Sequence, residues 1–217
     1  MNSYQPTLIR PTQSVHPLKA WENRLMKRCS DILIASLALV LLWPLLLFIA
    51  VLVRLTTPGP AIYKQERISL AGKSFRMYKF RTMPVDTEAK SGPIWATAHD
   101  PRPTPLGGVL RRSSLDELPQ LFNVLEGSMS FVGPRPERPY FVEKFSQEIP
   151  GYADRHQVKA GMTGLAQIKG LRGDTSIEAR VSHDLEYIEN WSLKLDLQIV
   201  LRSFWVIVAD FIQKKAY

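Results

Sequence analysis

The sequence predicts a mixed α+β chain, mainly helical, with one helix set into a membrane and a small β-hairpin beside it. Three observations carry this. Residues 32–53 form a run of 22 residues without a charge, ILIASLALVLLWPLLLFIAVLV. Residues 61–68 and 73–82 alternate like two strands about Ala71-Gly72, the signature of a hairpin. Beyond residue 114, apolar side chains recur mostly at helical spacing.

The elements follow in order. Residues 1–18 are polar with three prolines and read as a mobile arm. The apolar run is long enough to cross the hydrocarbon core of a bilayer. A buried core helix is usually shorter or carries a polar stripe. A signal peptide is disfavoured because the run begins 31 residues in and lacks a small-residue cleavage site after Val53. Pro44 has no N–H, and its ring presses on the Val40 carbonyl, so a kink is expected there. Lys19, Arg24, Lys27 and Arg28 precede the run, and Arg54, Lys64 and Arg67 follow it. Basic flanks stay in the cytoplasm. A re-entrant hairpin satisfies both the proline and the charges, and a single span with a flexible proline is about equally compatible.

Thr57-Pro58-Gly59-Pro60 breaks the chain after the run. In the second strand, alternation sets Lys73, Lys79 and Arg81 on one face and Arg76 on the other. Residues 84–108, rich in Pro, Gly, Thr and Asp, read as a long loop, a form that is often functional. Residues 115–126, 137–148 and 176–190 read as helices, and Gly161–Gly164 and Gly170–Gly173 as turns. From Trp191 to Lys215, Leu193, Leu197, Val200, Leu201, Phe204 and Val208 form one stripe. With Trp191, Trp205, Lys214 and Lys215 this suits either an interfacial helix or a helix packed on the domain.

Composition narrows the chemistry. The 217 residues carry 28 Lys and Arg against 20 Asp and Glu, a net charge of +8 that points to an anionic partner. The single cysteine, Cys29, excludes an intrachain disulfide and a cysteine metal cluster. The four histidines are scattered, and HExxH, Walker and GxGxxG motifs are absent from the sequence. Nucleic-acid binding is not expected, because no recognised nucleic-acid module accompanies the basic residues.

The informative stretch is LRRSSLDELPQLFNVL at 110–125. Pro119 is tolerated only in a first helical turn, which sets the helix start near Asp116 to Leu118, with Asp116 in the N-cap region. A Ser114–Glu117 capping box would leave Pro119 a turn too deep. Acidic residues at such a place are ordinarily caps, but Arg111 and Arg112 lie just upstream. A second basic segment, FVGPRPERP at 131–139, fixes Arg135 between two prolines, and a rigid guanidinium suits bidentate phosphate binding. A carboxylate can attack phosphorus as a covalent nucleophile. Attack on a diphosphate needs its charge neutralised by Arg, Lys or Mg²⁺, and Mg²⁺ typically takes one or two carboxylates plus substrate phosphates. Asp116 and Glu117 can divide these tasks because neighbours on a helix point in different directions.

Several segments resemble the bacterial sugar transferases, the monotopic phosphoglycosyl transferases of exopolysaccharide and glycan assembly. They are KRCSD before the apolar run with its central Pro44, FRMYKFRTM at 75–83, SLDELPQLFNVLEGSMSFVGPRPE at 114–137 and KAGMTGLAQIKG at 159–170, in the family's order over roughly 24–210. The length is similar to the family's short form. The resemblance implies a mobile arm over 1–23 and a re-entrant membrane helix over 24–57 broken near Pro44. A cytosolic catalytic domain over 58–190 and an amphipathic interfacial helix over 191–217 would follow.

It also implies chemistry at the cytoplasmic face of the bacterial inner membrane. A hexose 1-phosphate would pass from a UDP-sugar to polyprenyl (undecaprenyl) phosphate, with release of UMP. Asp116 would be the nucleophile, forming a phosphosugar–enzyme intermediate, and Glu117 would help it place Mg²⁺. Arg111, Arg135, Lys79, Arg81 and, in the Gly170–Gly173 turn, Arg172 would bind substrate. The implied partners are the UDP-sugar, the polyprenyl phosphate and the bilayer, with a homodimer compatible. Gly108 departs from the family, whose members often carry Lys or Arg there.

Overall fold

In a computed structural model the structure describes residues 17–89, 92, 94–95 and 100–212. Most of the expected arm (1–16), parts of the long loop (90, 91, 93 and 96–99) and Lys214 and Lys215 lie outside these residues. The fold is mixed α+β and mostly helical, with one long apolar helix and very little sheet.

Helix α1 runs from Trp21 to Thr56. It begins inside the segment expected as an arm, and Leu18, in the short 3₁₀ turn before it, is buried against Trp191 and Ile188. No non-helical residue interrupts α1 at Pro44, which differs from the expected break. Proline's fixed φ is itself helical, so the loss of one N–H bond need not open the backbone when packing holds both sides. That packing exists. Ala35, before the proline, is buried with Met77, Leu121, Val124 and Met129. Ile49 and Val53, after it, are buried with Phe80 and Leu110. The opposite side of α1, including Leu33, Val40, Leu41, Phe48 and Leu55, is exposed.

Strands β1 (Ile62–Ile68) and β2 (Ser74–Phe80) pair antiparallel, with Ile62 opposite Phe80 and Ile68 opposite Ser74. The expected Ala71-Gly72 turn is present, both residues having left-handed φ values of 55° and 73°. Helix α2 (Pro105–Arg112) begins inside the expected loop. Its start signals are local ones. Pro105 occupies the first turn, and the Thr104 hydroxyl accepts from the Gly107 N–H at 3.0 Å. The two glycines that make this stretch read as a breaker have a packing reason in Gly107, where a Cβ would stand 2.0 Å from the Thr82 carbonyl oxygen.

A 3₁₀ turn at Leu115–Glu117 and helix α3 (Gln120–Glu126) replace the single expected helix over 115–126. Pro119 immediately precedes α3 with φ −61°, so the proline rule holds, but Asp116 sits one turn before the α-helix rather than at its cap. Arg28 of α1 donates to the carbonyls of Val124 and Leu125 at 2.5 and 2.7 Å, satisfying orphan acceptors at the end of α3.

Strand β3 (Ser130–Val132) pairs in parallel with β4 (Gly161–Thr163), so the Gly161–Gly164 segment is a strand and not the expected turn. Glycine allows it, because a Cβ on Gly161 would stand 2.1 Å from the Gly133 nitrogen. Helices α4 (Pro139–Glu148), α5 (Leu165–Ile168), α6 (Ile177–Glu189) and α7 (Leu193–Ile212) complete the body. Trp191 is buried, its indole N–H donating to Asp196 at 3.2 Å, which removes it from the expected interfacial set. Along α7, Asp196, Ile199 and Ser203 face the core, whereas Leu193, Leu197, Leu201, Phe204 and Trp205 are exposed. Lys27 is buried between Asp31 (3.2 Å) and Asp196 (3.0 Å) and ties α1 to α7.

Candidate active site

Ser114 makes the turn on which the site depends. Its left-handed backbone (φ 55°, ψ 14°) is uncommon for a residue with a side chain, and such conformations concentrate at functional sites. It ends the run of α2 and directs the 3₁₀ turn so that Asp116 and Glu117 line a cavity of about 750 Å³. The cavity lies between the hairpin, α2, the 84–95 segment and the Pro134–Pro136 segment.

The two carboxylates are placed differently. Glu117 is held by a guanidinium fork. Arg135 donates to its Oε1 at 2.5 Å and its Oε2 at 3.3 Å, and Lys79 donates to Oε1 at 2.7 Å. Burial would raise the Glu117 carboxyl, but the charges and hydrogen bonds of Arg135 and Lys79 outweigh it and keep the group well below the usual carboxylate range. Asp116 is 5% exposed, and its ion pair is a longer one, 3.7 Å to the Lys79 ammonium. Burial pushes its carboxyl up, and the neighbouring Glu117 charge adds to this against the pull of Lys79, Arg111 and Arg135. Glu117 is an anchor that accepts three charge-assisted hydrogen bonds and keeps one acceptor position on Oε2; Asp116 is a buried carboxylate with most of its hydrogen-bonding capacity unspent.

Arg135 is rigid for reasons beyond its prolines. The Pro134 carbonyl accepts from the Gly161 N–H at 2.9 Å, and the Arg135 carbonyl accepts from Arg155 at 2.9 Å. Arg155, 1% exposed, is in turn paired with Asp184 at 2.6 Å. Arg67 donates to the Pro136 carbonyl at 3.0 Å and pairs with Glu137, which also pairs with Arg180. Burial, set against the attraction of Glu137 and reinforced by the charges of Arg135 and Arg138, lowers the Arg67 guanidinium to about 10.

The remaining expected residues reach the same cavity in different ways. The Arg111 Nε donates to the Thr82 hydroxyl at 3.1 Å, and Asp100 accepts from its Nη1 at 3.4 Å. Arg81 lines the cavity but gives its guanidinium to the carbonyls of Thr57, Pro58 and Gly59, holding the exit of α1. Arg172 also lines the cavity, and Pro44 lies apart in α1. Sequence reasoning missed Arg67, Arg102, Arg138, Arg180 and Trp95. The second arginine of Arg-Pro-Glu-Arg-Pro was a legible signal; Arg67, Arg180 and Trp95 carry none in their local sequence. Glu88 joins Arg102 and Arg138 at 2.9 and 2.8 Å, which fastens the described part of the 84–104 segment across the cavity.

Ten cationic side chains and five acidic ones line the cavity, so it favours a multiply charged anion. Among the described residues no cluster of three or more His, Cys, Asp and Glu side chains could hold a metal ion alone. Asp116 with Glu117 still fits a cation that takes one or two carboxylates together with substrate phosphates.

The chain matches the model of the bacterial sugar transferase family over residues 22–210. It is 48% identical over 199 residues to the UDP-glucose:undecaprenyl-phosphate glucose-1-phosphate transferase of Escherichia coli (strain K12), covering 90% of this chain and 42% of that protein. It is 44% identical over 188 residues to the UDP-N-acetylgalactosamine-undecaprenyl-phosphate N-acetylgalactosaminephosphotransferase of Aeromonas hydrophila, covering 86% and 44%. It is 41% identical over 199 residues to the exopolysaccharide production protein PSS of Rhizobium leguminosarum bv. phaseoli, covering 88% and 98%. The chain spans about two fifths of the length of the Escherichia coli and Aeromonas hydrophila relatives.

Proposed function

The chain belongs to the bacterial sugar transferase family, and from that premise we propose that it transfers a hexose 1-phosphate from a UDP-sugar to polyprenyl phosphate through a covalent Asp116 intermediate. The observation that carries the reading is the division of labour in the acidic pair. Glu117 accepts three hydrogen bonds from Arg135 and Lys79, whereas Asp116 is buried in a cationic cavity with one longer ion pair.

An Asp116 oxygen attacks the phosphorus that bears the sugar. The bond from that phosphorus to the UMP oxygen breaks, and UMP leaves with the electron pair. A phosphate oxygen of the acceptor then attacks the same phosphorus and expels the Asp116 carboxylate, giving the polyprenyl diphosphate-sugar. Arg135, set by its fork on Glu117, and Arg111 and Lys79 neutralise charge as it develops on the phosphoryl oxygens. Arg172 supplies a further cationic wall, and Arg81 keeps the cavity floor fixed to the end of α1. Mg²⁺, held by Asp116 and Glu117 with the diphosphate, would screen the donor's charge and so favour departure of UMP.

The packing of α1 on the body at both sides of Pro44 favours a helix that stays at one face of the membrane, with the body on the cytoplasmic side, over a single span. From Ala35 to Ile49, the buried residues that flank the proline, the helix rises roughly 21 Å. The hydrocarbon core is about 30 Å thick. A helix held by the same body on both sides of so short an interval does not leave that body to cross a bilayer. The exposed stripe on α7 would add interfacial contact.

The test is UMP release from a panel of UDP-hexoses, including UDP-glucose and UDP-N-acetylgalactosamine, with polyprenyl phosphate and Mg²⁺. Labelled UMP exchange into the donor without acceptor is followed alongside. The wild type releases UMP with one of the donors and catalyses exchange; Asp116→Asn does neither. Release without exchange would replace the covalent intermediate by direct transfer, with Asp116 as base or metal ligand.

A further inference from the structure

Beside the polar cavity lies a second one, of about 570 Å³, whose ten lining residues are all apolar. Its walls come from three elements: Trp43 and Leu47 on α1, Ile62 and Phe80 on the hairpin, and Pro119 and Phe122 at the start of α3. Trp43 is 60% exposed and Phe122 48%, so large apolar side chains stand open around it. Exposed apolar patches of this kind mark interaction sites.

Two features join this groove to the reacting carboxylate. Ile62 and Phe80, a cross-strand pair, line both cavities and so form a shared wall. Pro119, three residues after Asp116 and just beyond the 3₁₀ turn, lines the groove. A ligand with a phosphate at one end and a long hydrocarbon at the other can therefore set its head near Asp116 and run its chain out between α1 and α3.

We propose that this groove seats the isoprene units nearest the phosphate of the polyprenyl acceptor, and so fixes the direction from which that phosphate approaches Asp116. The inference rests on the transferase reading above. The cationic polar cavity favours a phosphate monoester over a phospholipid diester, because the monoester brings more charge to Lys79 and the arginines. An ordinary phospholipid could use the groove in this way only with its headgroup among the donor-binding residues.

The experiment uses the full chain in nanodiscs of phosphatidylethanolamine and phosphatidylglycerol, with a polyprenyl phosphate carrying a photoreactive diazirine in its first isoprene units. Adducts are expected on the peptides containing Trp43, Leu47 or Phe122. Unlabelled polyprenyl phosphate should compete them away, and added phosphatidylglycerol should not. Labelling elsewhere, or equal competition by the phospholipid, overturns the proposal and makes the groove a plain lipid-facing surface. In steady-state assays Phe122→Ser, at a half-exposed position, should raise KM for a long-chain acceptor about tenfold more than for a short-chain one, the equivalent of about 1.4 kcal/mol. Equal effects on both acceptors also overturn it. If groove labelling is specific but the wild type fails to exchange UMP, the covalent donor reading falls while the groove stands.

Discussion

Replacing Arg135 by lysine separates charge from geometry at the site. The backbone cannot drift, because the Pro134 and Arg135 carbonyls are held by Gly161 and Arg155. A lysine therefore starts from the same place with the same charge. It loses the planar fork: one ammonium can serve Glu117 Oε1, but the second bond, to Oε2 at 3.3 Å, goes. A hydrogen bond to a charged group is worth about 1.5–3 kcal/mol. The Arg135 side chain is 27% exposed, which argues for the low end. A loss of about 1.5 kcal/mol in a chain of this size lowers Tm by about 3–6 °C. In the proposed reaction the same loss loosens Glu117 beside Asp116, so kcat/KM should fall about tenfold. UMP release and thermal unfolding measure the two effects on one preparation. Arg135→Lys within twofold of wild type in rate, with Arg135→Gln inactive, would mean that charge alone matters, and the argument from the fork would fail.

Other outcomes follow from the same geometry. Gly107→Ala puts a methyl group into the Thr82 carbonyl and should cost about 1–3 kcal/mol, read as a Tm loss of order 5 °C, with reduced UMP release because α2 carries Arg111. Gly108→Arg should fold normally, since a Cβ there meets only the Arg112 guanidinium at 3.6 Å; its effect should appear as a changed KM for the donor. Because burial raises the Asp116 carboxyl, ionising it opposes folding at pH values above its folded-state value, so Asp116→Asn should raise Tm at neutral pH while abolishing turnover. Glu117 has the opposite sign. Its stabilisation is present above its ordinary value of 4.5 and is lost as pH falls through the lowered folded value, so Glu117→Gln should lower Tm at neutral pH and narrow the difference from wild type on acidification.

Local chemistry carried much of this protein in the sequence. The apolar run of residues 32–53, the Ala71-Gly72 hairpin turn and the helices around 139–148 and 177–189 are short-range patterns of hydrophobicity and backbone permission, and they stand close to where they were expected. Asp116, Glu117 and Arg135 could be named as candidates because an acidic pair and a proline-fixed arginine are unusual in themselves; Lys79 entered the site only through the family resemblance. Their assembly could not be read. Lys79 and Glu117 are 38 residues apart, Arg135 and Glu117 are 18 apart, and only the docking of hairpin, 3₁₀ turn and β3–β4 decides that both cations bond Glu117 and leave Asp116 one longer ion pair. The β3–β4 pairing depends on Gly133 and Gly161 meeting across the fold, and glycines in a sequence signal a turn as readily as a close approach. The side of α7 that faces inward was equally hidden, since Asp196 and Trp191 are buried only because Lys27 and Tyr187 come from elsewhere to satisfy the carboxylate. Periodicity and turn chemistry are properties of neighbours along the chain, so the sequence states them outright; the environment of a charge is set by whatever the completed fold brings against it.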